Sequence, residues 1–389
     1  MSRRKATDKP STTLVLAGRD PTAQHGFVNT PIYRGSTILS ETADEFLHRK
    51  DRRYTYGRRG TPTSDALAEA WQAIEGCAGA AFTPSGLSAV AIGLTAVLSA
   101  GDHLLMVDTA YGPTRSFCDK DLKRLGITTT YYDPLIGAGI EELFRPETRA
   151  VFCESPGSLT FEVQDVPAIA AVAHARGAAV LLDNTWATPL LFDAYRHGVD
   201  VAVSAGTKYL SGHSDVNIGV VSANAEHWPA VIGCHGRFGL CAGPEDLFLS
   251  LRGLRTMGVR LAHQEQAALR IADWLAERPE VARVLHPALP SCPGHEFWQR
   301  DFSGSSGLFA IVLKRVPVAA AHAFVDGLRL FGIGASWGGY ESLAIPFEPL
   351  RTATTWDAEG PTIRFNIGLE DIGDLVADLE AGLEKLPKA

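Results

Sequence analysis

Two residues that close apolar runs could carry chemistry in this chain. Asp183 ends Leu181-Leu182-Asp183, and Lys208 follows 25 residues later in Ala205-Gly206-Thr207-Lys208-Tyr209. A third run ends in Val107-Asp108-Thr109-Ala110-Tyr111. In an open α/β sheet, ligands bind where the strands' carboxyl ends emerge. A lysine amine placed there can form a Schiff base with pyridoxal phosphate. A carboxylate beside the pyridinium nitrogen keeps that ring protonated, so that it acts as an electron sink. Tyr111 can cover a ring face, and Pro84-Ser85-Gly86-Leu87 opens a helix whose first N–H groups suit a phosphate. Taken singly, these residues have ordinary uses, since a strand-end Asp is often structural and a lone Lys is usually a solvated charge. Their order and spacing together make the stronger signal.

The elements that must position them read as an αβ alternation. Thr63–Glu75 has helical spacing and stops before Gly76, Ala80–Thr83 is a short strand, and a helix runs from Ser85 to about Ser99. Strands are expected at His103–Asp108, Thr128–Asp133, Ala150–Glu154, Ala179–Asp183 and Val199–Ser204, with Val166–Arg176 helical. Apolar strands alternating with helices imply a mostly parallel sheet buried on both faces. The texture changes after about Met257: a long helix at Val259–Glu277, strands at Gly307–Lys314 and Ile363–Ile367, and helices at Val318–Gly327 and Asp371–Leu386 suggest a smaller α+β unit. The expected organisation is an arm over residues 1–60, a cofactor-binding unit over 61–256 and a C-terminal unit over 257–389. The arm has too few apolar residues to bury a core alone, so it should lie on another surface, of its own chain or a neighbour's.

Composition excludes several classes. The 389 residues are 46% hydrophobic and 21% charged, which is ordinary globular usage. The net charge of -8 argues against nucleic acid as a partner. Ala89–Leu98, the longest apolar stretch, is half of what a membrane span needs. Met1-Ser2-Arg3-Arg4-Lys5 lacks the apolar stretch a signal peptide would add, so a cytoplasmic protein is expected. Six scattered cysteines without a Cys-x-x-Cys read as buried thiols. Gly332-x-Gly334 with Gly338 misses the dinucleotide fingerprint, there is no P-loop, and no histidine pair has metal spacing. His213 reads as a satisfied loop histidine, and no metal is expected.

The same residues carry a resemblance. Tyr56-Gly57-Arg58-Arg59-Gly60-Thr61, Asp133-Pro134-Leu135-Ile136-Gly137, Glu154-Ser155-Pro156-Gly157-Ser158, Asp183-Asn184-Thr185-Trp186-Ala187, Thr207-Lys208-Tyr209-Leu210 with Gly212-His213-Ser214-Asp215, and Ser336-Trp337-Gly338-Gly339-Tyr340-Glu341-Ser342 resemble the Cys/Met-metabolism family of pyridoxal-phosphate enzymes. Within it they are most similar to the cystathionine β-lyases. The resemblance runs from about Thr12 to the C-terminus. It implies the type I pyridoxal-phosphate (aspartate aminotransferase-like) α/β fold and a homotetramer built from two tight dimers. It makes Lys208 the Schiff-base lysine and general base, Asp183 the pyridinium partner and Tyr111 the stacking group. It assigns the phosphate to Ser85, Gly86, Leu87 and Thr207, with Tyr56 and Arg58 reaching it from the neighbouring subunit. Arg364 would clamp the substrate α-carboxylate, helped by Ser336 and Trp337. A guanidinium suits that task because it grips a carboxylate through two parallel hydrogen bonds.

The implied reaction is cleavage of the β-carbon–sulfur bond of cystathionine to homocysteine, pyruvate and ammonia, a step toward methionine. The chain departs from the enteric β-lyases at Gly236 and Ala335, where those carry tyrosines, and at Ser116, where they carry an aspartate. These positions line the distal pocket, so the leaving thiol stays open. A β-lyase of broader range on cystine or other S-substituted cysteines, and a γ-synthase or γ-lyase on the same scaffold, remain alternatives; Trp337 argues against the γ-enzymes. A degenerate binding or regulatory protein is a further one, disfavoured by the intact Lys208, Asp183, Tyr111 and Arg364.

Overall fold

A computed structural model describes residues 8–387 of the chain. Residues 1–7 of the expected arm, with the basic Met1–Lys5 start, and the last two residues of the C-terminal unit lie outside the described residues. Among the described residues, eleven strands form two sheets. They are β1 (Gly79–Thr83), β2 (His103–Val107), β3 (Thr128–Tyr132), β4 (Thr148–Glu154), β5 (Ala179–Asp183), β6 (Val201–Ala205), β7 (Gly219–Ala223), β8 (Val281–Leu285), β9 (Leu308–Leu313), β10 (Leu343–Phe347) and β11 (Thr362–Asn366). The larger sheet runs β1-β7-β6-β5-β4-β2-β3, and the smaller β10-β11-β9-β8.

The larger sheet is parallel except at β7, which pairs antiparallel with both β1 and β6. The reason is local. Residues 206–218 hold no helix, and a chain without a crossover helix returns antiparallel to the strand it has just left. Apart from the edge strand β3, whose Thr128–Tyr132 is polar and part-exposed, the strands of this sheet are short, largely apolar runs buried along most of their length, as in β2 with His103-Leu104-Leu105-Met106-Val107. They read as continuous apolar stretches because helices cover both faces.

The helices start and stop at legible signals. Thr61 and Ser64 form a capping box at Pro62–Glu75, which ends on left-handed Gly76 (φ 77°). Ser85 and Ser88 do the same for Gly86–Val97. The long helix differs from expectation: it begins at Pro244 rather than Val259 and ends at Ala276. Leu247, Leu251, Leu254 and Leu261 keep helical spacing through it, but Gly253 interrupts the pattern. Glycine is needed there because a Cβ would sit 2.3 Å from the Ser211 carbonyl oxygen. Residue 256 therefore falls inside one continuous helix.

The arm also contains more structure than its polar composition suggests. Pro10–Leu16 is helical, and Leu14 and Ala17 are buried against Leu67, Trp71 and Leu254. Arg255 donates to the carbonyls of both Leu14 and Ala17, at 2.6 and 2.7 Å. Five of the six cysteines are buried and all are free. Cys241 is the exception to the expected burial, because it lies in the surface loop between the helices Trp228–Phe238 and Pro244–Ala276. Among the described residues no helix is long and apolar enough to cross a membrane, and no group of His, Cys, Asp and Glu could hold a metal ion.

A strap from the C-terminal part fastens the two sheets together. Asp108, just past β2, is fully buried and accepts from Arg115 Nη1 (2.9 Å), from the backbone N–H groups of Thr352, Ala353 and Thr354, and from both threonine hydroxyls. Arg351 reaches Glu162 from the same strap. Burial alone would raise the Asp108 carboxyl, but the Thr352, Thr354 and Arg115 hydrogen bonds outweigh it and hold the group down at about 2. The stability this provides is complete above the unfolded carboxyl value of about 4 and is lost as pH falls through about 2. Asp108→Asn leaves Arg115 buried without its counter-charge, and should lower unfolding free energy by about 3–5 kcal/mol. Urea denaturation at neutral pH checks this; a loss below about 1 kcal/mol would refute the strap's role.

Candidate active site

Three neighbouring strands end side by side. β4, β5 and β6 are parallel, with Glu154 opposite Asp183 and Asp183 opposite Val203. β6 then runs into the turn that carries Lys208. Asp183 is fixed by Thr185, whose N–H donates to Oδ1 at 2.9 Å and whose hydroxyl donates to the same oxygen. Thr185 Oγ1 in turn accepts from Ala205 N at 2.8 Å, which ties the Asp183 carboxyl to the end of β6. Burial pushes the Asp183 carboxyl up, while Thr185 and the Lys208 charge oppose the shift.

Lys208 Nζ donates to Ser336 Oγ at 2.7 Å and lies 5.2 Å from the centre of the Trp337 ring. Gly338, left-handed at φ 80°, packs on the Lys208 backbone, where an added Cβ would lie 3.1 Å from the Lys208 Cα. The long helix holds both sides of this junction: Arg260 donates to the Tyr209 carbonyl at 2.7 Å and Gln264 to the Gly339 carbonyl at 2.9 Å. Burial lowers the Lys208 ammonium to about 8, with Arg364 adding to the effect and Asp183 opposing it. A lowered lysine is neutral, and so a base and nucleophile, above that value. In cofactor-free protein, acylation of Lys208 should therefore rise about tenfold per pH unit and level off above about 8. Mass-spectrometric labelling of the Lys208 peptide reads this. A midpoint at about 10.4, the value of a surface lysine, would contradict it.

A cradle lies beside the lysine. Three glycines let the N-terminus of helix Gly86–Val97, the end of β6 and the start of β7 crowd together. A Cβ on Gly86 would lie 2.6 Å from the Ala205 Cβ, one on Gly206 would lie 2.7 Å from Ile218, and one on Gly219 would lie 2.2 Å from the Ser85 carbonyl oxygen. Helix N-termini leave their first N–H groups without intrahelical partners, and here those belong to Gly86 and Leu87. Ser85 Oγ caps the helix through Ser88 N at 3.2 Å. The Thr207 hydroxyl is engaged by Ile218, donating to its carbonyl and accepting from its N–H. This small, N–H-lined hollow next to a neutralisable lysine fits the phosphate of pyridoxal phosphate.

Arg364 lies on β11 in the other sheet and is 7% exposed. It bonds the loop that meets Lys208: Nη2 donates to the carbonyls of Ala335 and Ser336 at 3.1 and 3.0 Å. Its Nε is buried and has no hydrogen-bond partner among the described residues. Tyr111 is half-exposed and its N–H donates to Glu154 Oε2 at 2.7 Å. Lys208, Asp183, Tyr111, Arg364, Ser336, Trp337, Ser85, Gly86, Leu87 and Thr207 thus line one junction between the sheets. Tyr56 and Arg58 stand apart on the arm. Tyr56 is exposed, and Arg58 donates to the Gly236 carbonyl of its own chain at 3.1 Å. His213 is satisfied by the Ser211 carbonyl at 2.7 Å, as expected of a loop histidine.

Sequence reasoning missed Thr185, Glu154 and Asn366 as parts of the site. Asn366 accepts from Gly338 N and donates to the Glu341 carbonyl, which shapes the loop over Lys208. Glu154 carried a usable signal, since it ends an apolar strand just as Asp183 does.

The family model described as Cys/Met metabolism PLP-dependent enzyme matches residues 11–384. The chain belongs to this family of pyridoxal-phosphate-dependent enzymes. Two relatives are similar along their whole length. Cystathionine beta-lyase MetC of Escherichia coli and the cystathionine beta-lyase of Salmonella typhimurium are each 45% identical over 393 residues, which covers 98% of this chain and 100% of theirs. Among solved structures, the cystathionine gamma synthase of Xanthomonas oryzae pv. oryzae, crystallised in complex with aminoacrylate and cysteine, superposes with a TM-score of 0.90. It is 32% identical, over 97% of this chain and 98% of that one. The Cys/Met-metabolism family member described here therefore has the type I pyridoxal-phosphate fold and uses pyridoxal phosphate, as its sequence led us to expect.

Proposed function

We propose that this family member is a carbon–sulfur β-lyase that cleaves cystathionine to homocysteine, pyruvate and ammonia, a step in transsulfuration toward methionine. The observation that carries the reading is the convergence of the Lys208 amine and the Arg364 guanidinium on one loop, Ala335–Ser336. The two relatives named as cystathionine beta-lyases support it.

Pyridoxal phosphate, when bound, supplies the electron sink that makes a Cα–H acidic. The chain supplies the rest. Ser85, Gly86 and Leu87 would hold the phosphate, joined by Thr207 once its hydroxyl turns from the Ile218 carbonyl; Asp183 would keep its charge at the ring nitrogen, and Tyr111 would cover the ring. Arg364 grips the substrate α-carboxylate, with Ser336 and Trp337 beside it, and so fixes which Cα bond faces Lys208. Lys208 Nζ, neutral above about 8, takes the Cα proton. The electron pair left at Cα then expels the thiolate from Cβ.

Product analysis tests the reading. Cystathionine should give pyruvate and homocysteine, and 2-oxobutyrate as the main keto acid would place the chain with the γ-enzymes instead. One observation favours a wider thiol range: a Cβ on Gly236 would meet nothing within 4 Å, and Ala335 is exposed. Comparing kcat/KM for cystathionine, cystine and other S-substituted cysteines decides between a narrow and a broad enzyme.

The organisation proposed is a 1–60 arm, a cofactor-binding unit over 61–256 and a smaller unit over 257–389. Phe27, Leu39 and Leu47 of the arm are 72%, 83% and 71% exposed. Apolar groups so open need a cover, and a homotetramer of paired dimers provides it, with Tyr56 and Arg58 of the partner subunit reaching the phosphate. Sedimentation velocity should show a tetramer; a monomer at micromolar concentration would refute this. We also propose a cytoplasmic location, which cell fractionation checks.

A further inference from the structure

Two buried side chains of the long helix Pro244–Ala276 reach the two halves of the site. Arg260 and Gln264 are four residues apart and so lie on the same face of that helix. Arg260 serves the lysine half: its Nη2 donates to the carbonyl of Tyr209, the residue after Lys208, at 2.7 Å. Gln264 serves the arginine half. Its Nε2 donates to the Gly339 carbonyl at 2.9 Å and to the Ile367 carbonyl at 3.0 Å. Gly339 follows Ser336 in the loop that Arg364 holds, and Ile367 follows Arg364 just past β11. Gln264 is fully buried, and with both N–H groups engaged its amide can point only one way. The packing is close, since a Cβ on Gly307 would sit 3.0 Å from the Gln264 Cβ and 2.8 Å from the Ile367 carbonyl oxygen.

Arg364 and Asn366, both on β11, bond the loop at Ala335, Ser336 and Gly338. Strand and loop therefore form one unit without help from the helix. These bonds do not set where that unit stands relative to Lys208. Lys208 meets the loop at Ser336 through the end of its own side chain, and at Gly338 by packing. Gln264 and Arg260 do something different: they tie the backbones of the two halves to one helix by hydrogen bonds.

We infer that Gln264 is a positioning residue for the substrate clamp: it fixes the distance between the Arg364 unit and the Lys208 amine, and so the reach of that amine to the Cα–H. This rests on Arg364 holding the substrate α-carboxylate. A displacement of about 1 Å at a reacting centre can cost about 10²-fold in rate.

Gln264→Met keeps the length of the side chain and removes both donors. In the cofactor-loaded enzyme with cystathionine, its kcat should fall by about 10–10²-fold. KM should change by less than about threefold, because the Arg364 unit that binds the carboxylate is intact. Cofactor affinity should also stay within about threefold, since the cradle at Gly86, Gly206 and Gly219 is built without this helix. A double-mutant cycle with Arg364→Ala separates positioning from general support of the fold. Once the clamp is gone there is nothing left to misplace, so adding Gln264→Met should lower kcat/KM by less than about a further threefold. A Met variant within about threefold of wild type in kcat overturns the inference. So does a loss of about tenfold or more that recurs in the Arg364→Ala background, or a loss that falls on KM or cofactor affinity instead of kcat. Should the Met protein fail to fold, Gln264→Asn, whose amide is one methylene too short to span both carbonyls, enters the same cycle with the same expected results. Arg364→Ala that alone keeps kcat/KM within about threefold of wild type overturns the clamp itself, and the inference with it, whereas the other outcomes remove only the role of Gln264.

Discussion

Lys208→Ala should be colourless at visible wavelengths and lose about 10²–10⁴-fold in kcat, the range a positioned general base supplies. The substitution removes the amine and its hydrogen bond to Ser336 but keeps the Cβ. Gly338 packs on the backbone and Cβ of Lys208 rather than on the end of its side chain. The junction between the sheets should therefore persist, and thermal unfolding should shift little. That separation makes the test clean: a folded protein without colour or turnover assigns the chemistry to the amine. Retained turnover within about tenfold of wild type would remove Lys208 from the mechanism.

Asp183→Asn should cost nearly as much, for a different reason. An amide still accepts from the Thr185 N–H and hydroxyl, so the turn that joins β5 to β6 keeps its bonds. The negative charge is gone. A buried cation left without its partner costs about 3–5 kcal/mol, which corresponds to about 10²–10⁴-fold in rate or cofactor affinity. Asp183→Ala removes the Thr185 acceptor as well and should add a loss of stability of about 1–3 kcal/mol. Should the Asn protein keep activity within about tenfold, charge at the ring nitrogen is not what Asp183 provides.

The sequence made the strand ends legible because burial on both faces leaves no charged residue inside the central strands β5 and β6. An Asp or Lys at the end of such a run stands out, and Asp183 and Lys208 are found that way. Reading failed where tertiary contact overrides local pattern. Pro346 masks β10, which tolerates it because it is the edge strand of its sheet. Gly253 hid the first part of the long helix, since its reason lies in the Ser211 carbonyl and not in its neighbours. β7 was overlooked between the glycines of the Lys208 loop, and with it the antiparallel turn of the sheet. The Asp108 strap left no trace at all. Its partners are 244 to 246 residues apart, and no periodicity spans that distance. Arg364 and Ser336 were found from the family resemblance, whereas Thr185 and Asn366, which act by holding others, carry no chemical signature of their own.

The strap also sets an order on synthesis. Asp108 and Arg115 leave the ribosome early, and the three N–H groups that complete their network come at Thr352, Ala353 and Thr354. At about 5–20 residues per second, the intervening 244 residues take roughly 12–49 s to translate. For that interval the nascent chain holds a buried-type ion pair that only water can finish. The lysine is in the same position, because Ser336, Trp337 and Gly338 are also made late. A ribosome-bound chain stalled before the strap has every strand of its first sheet and no working site.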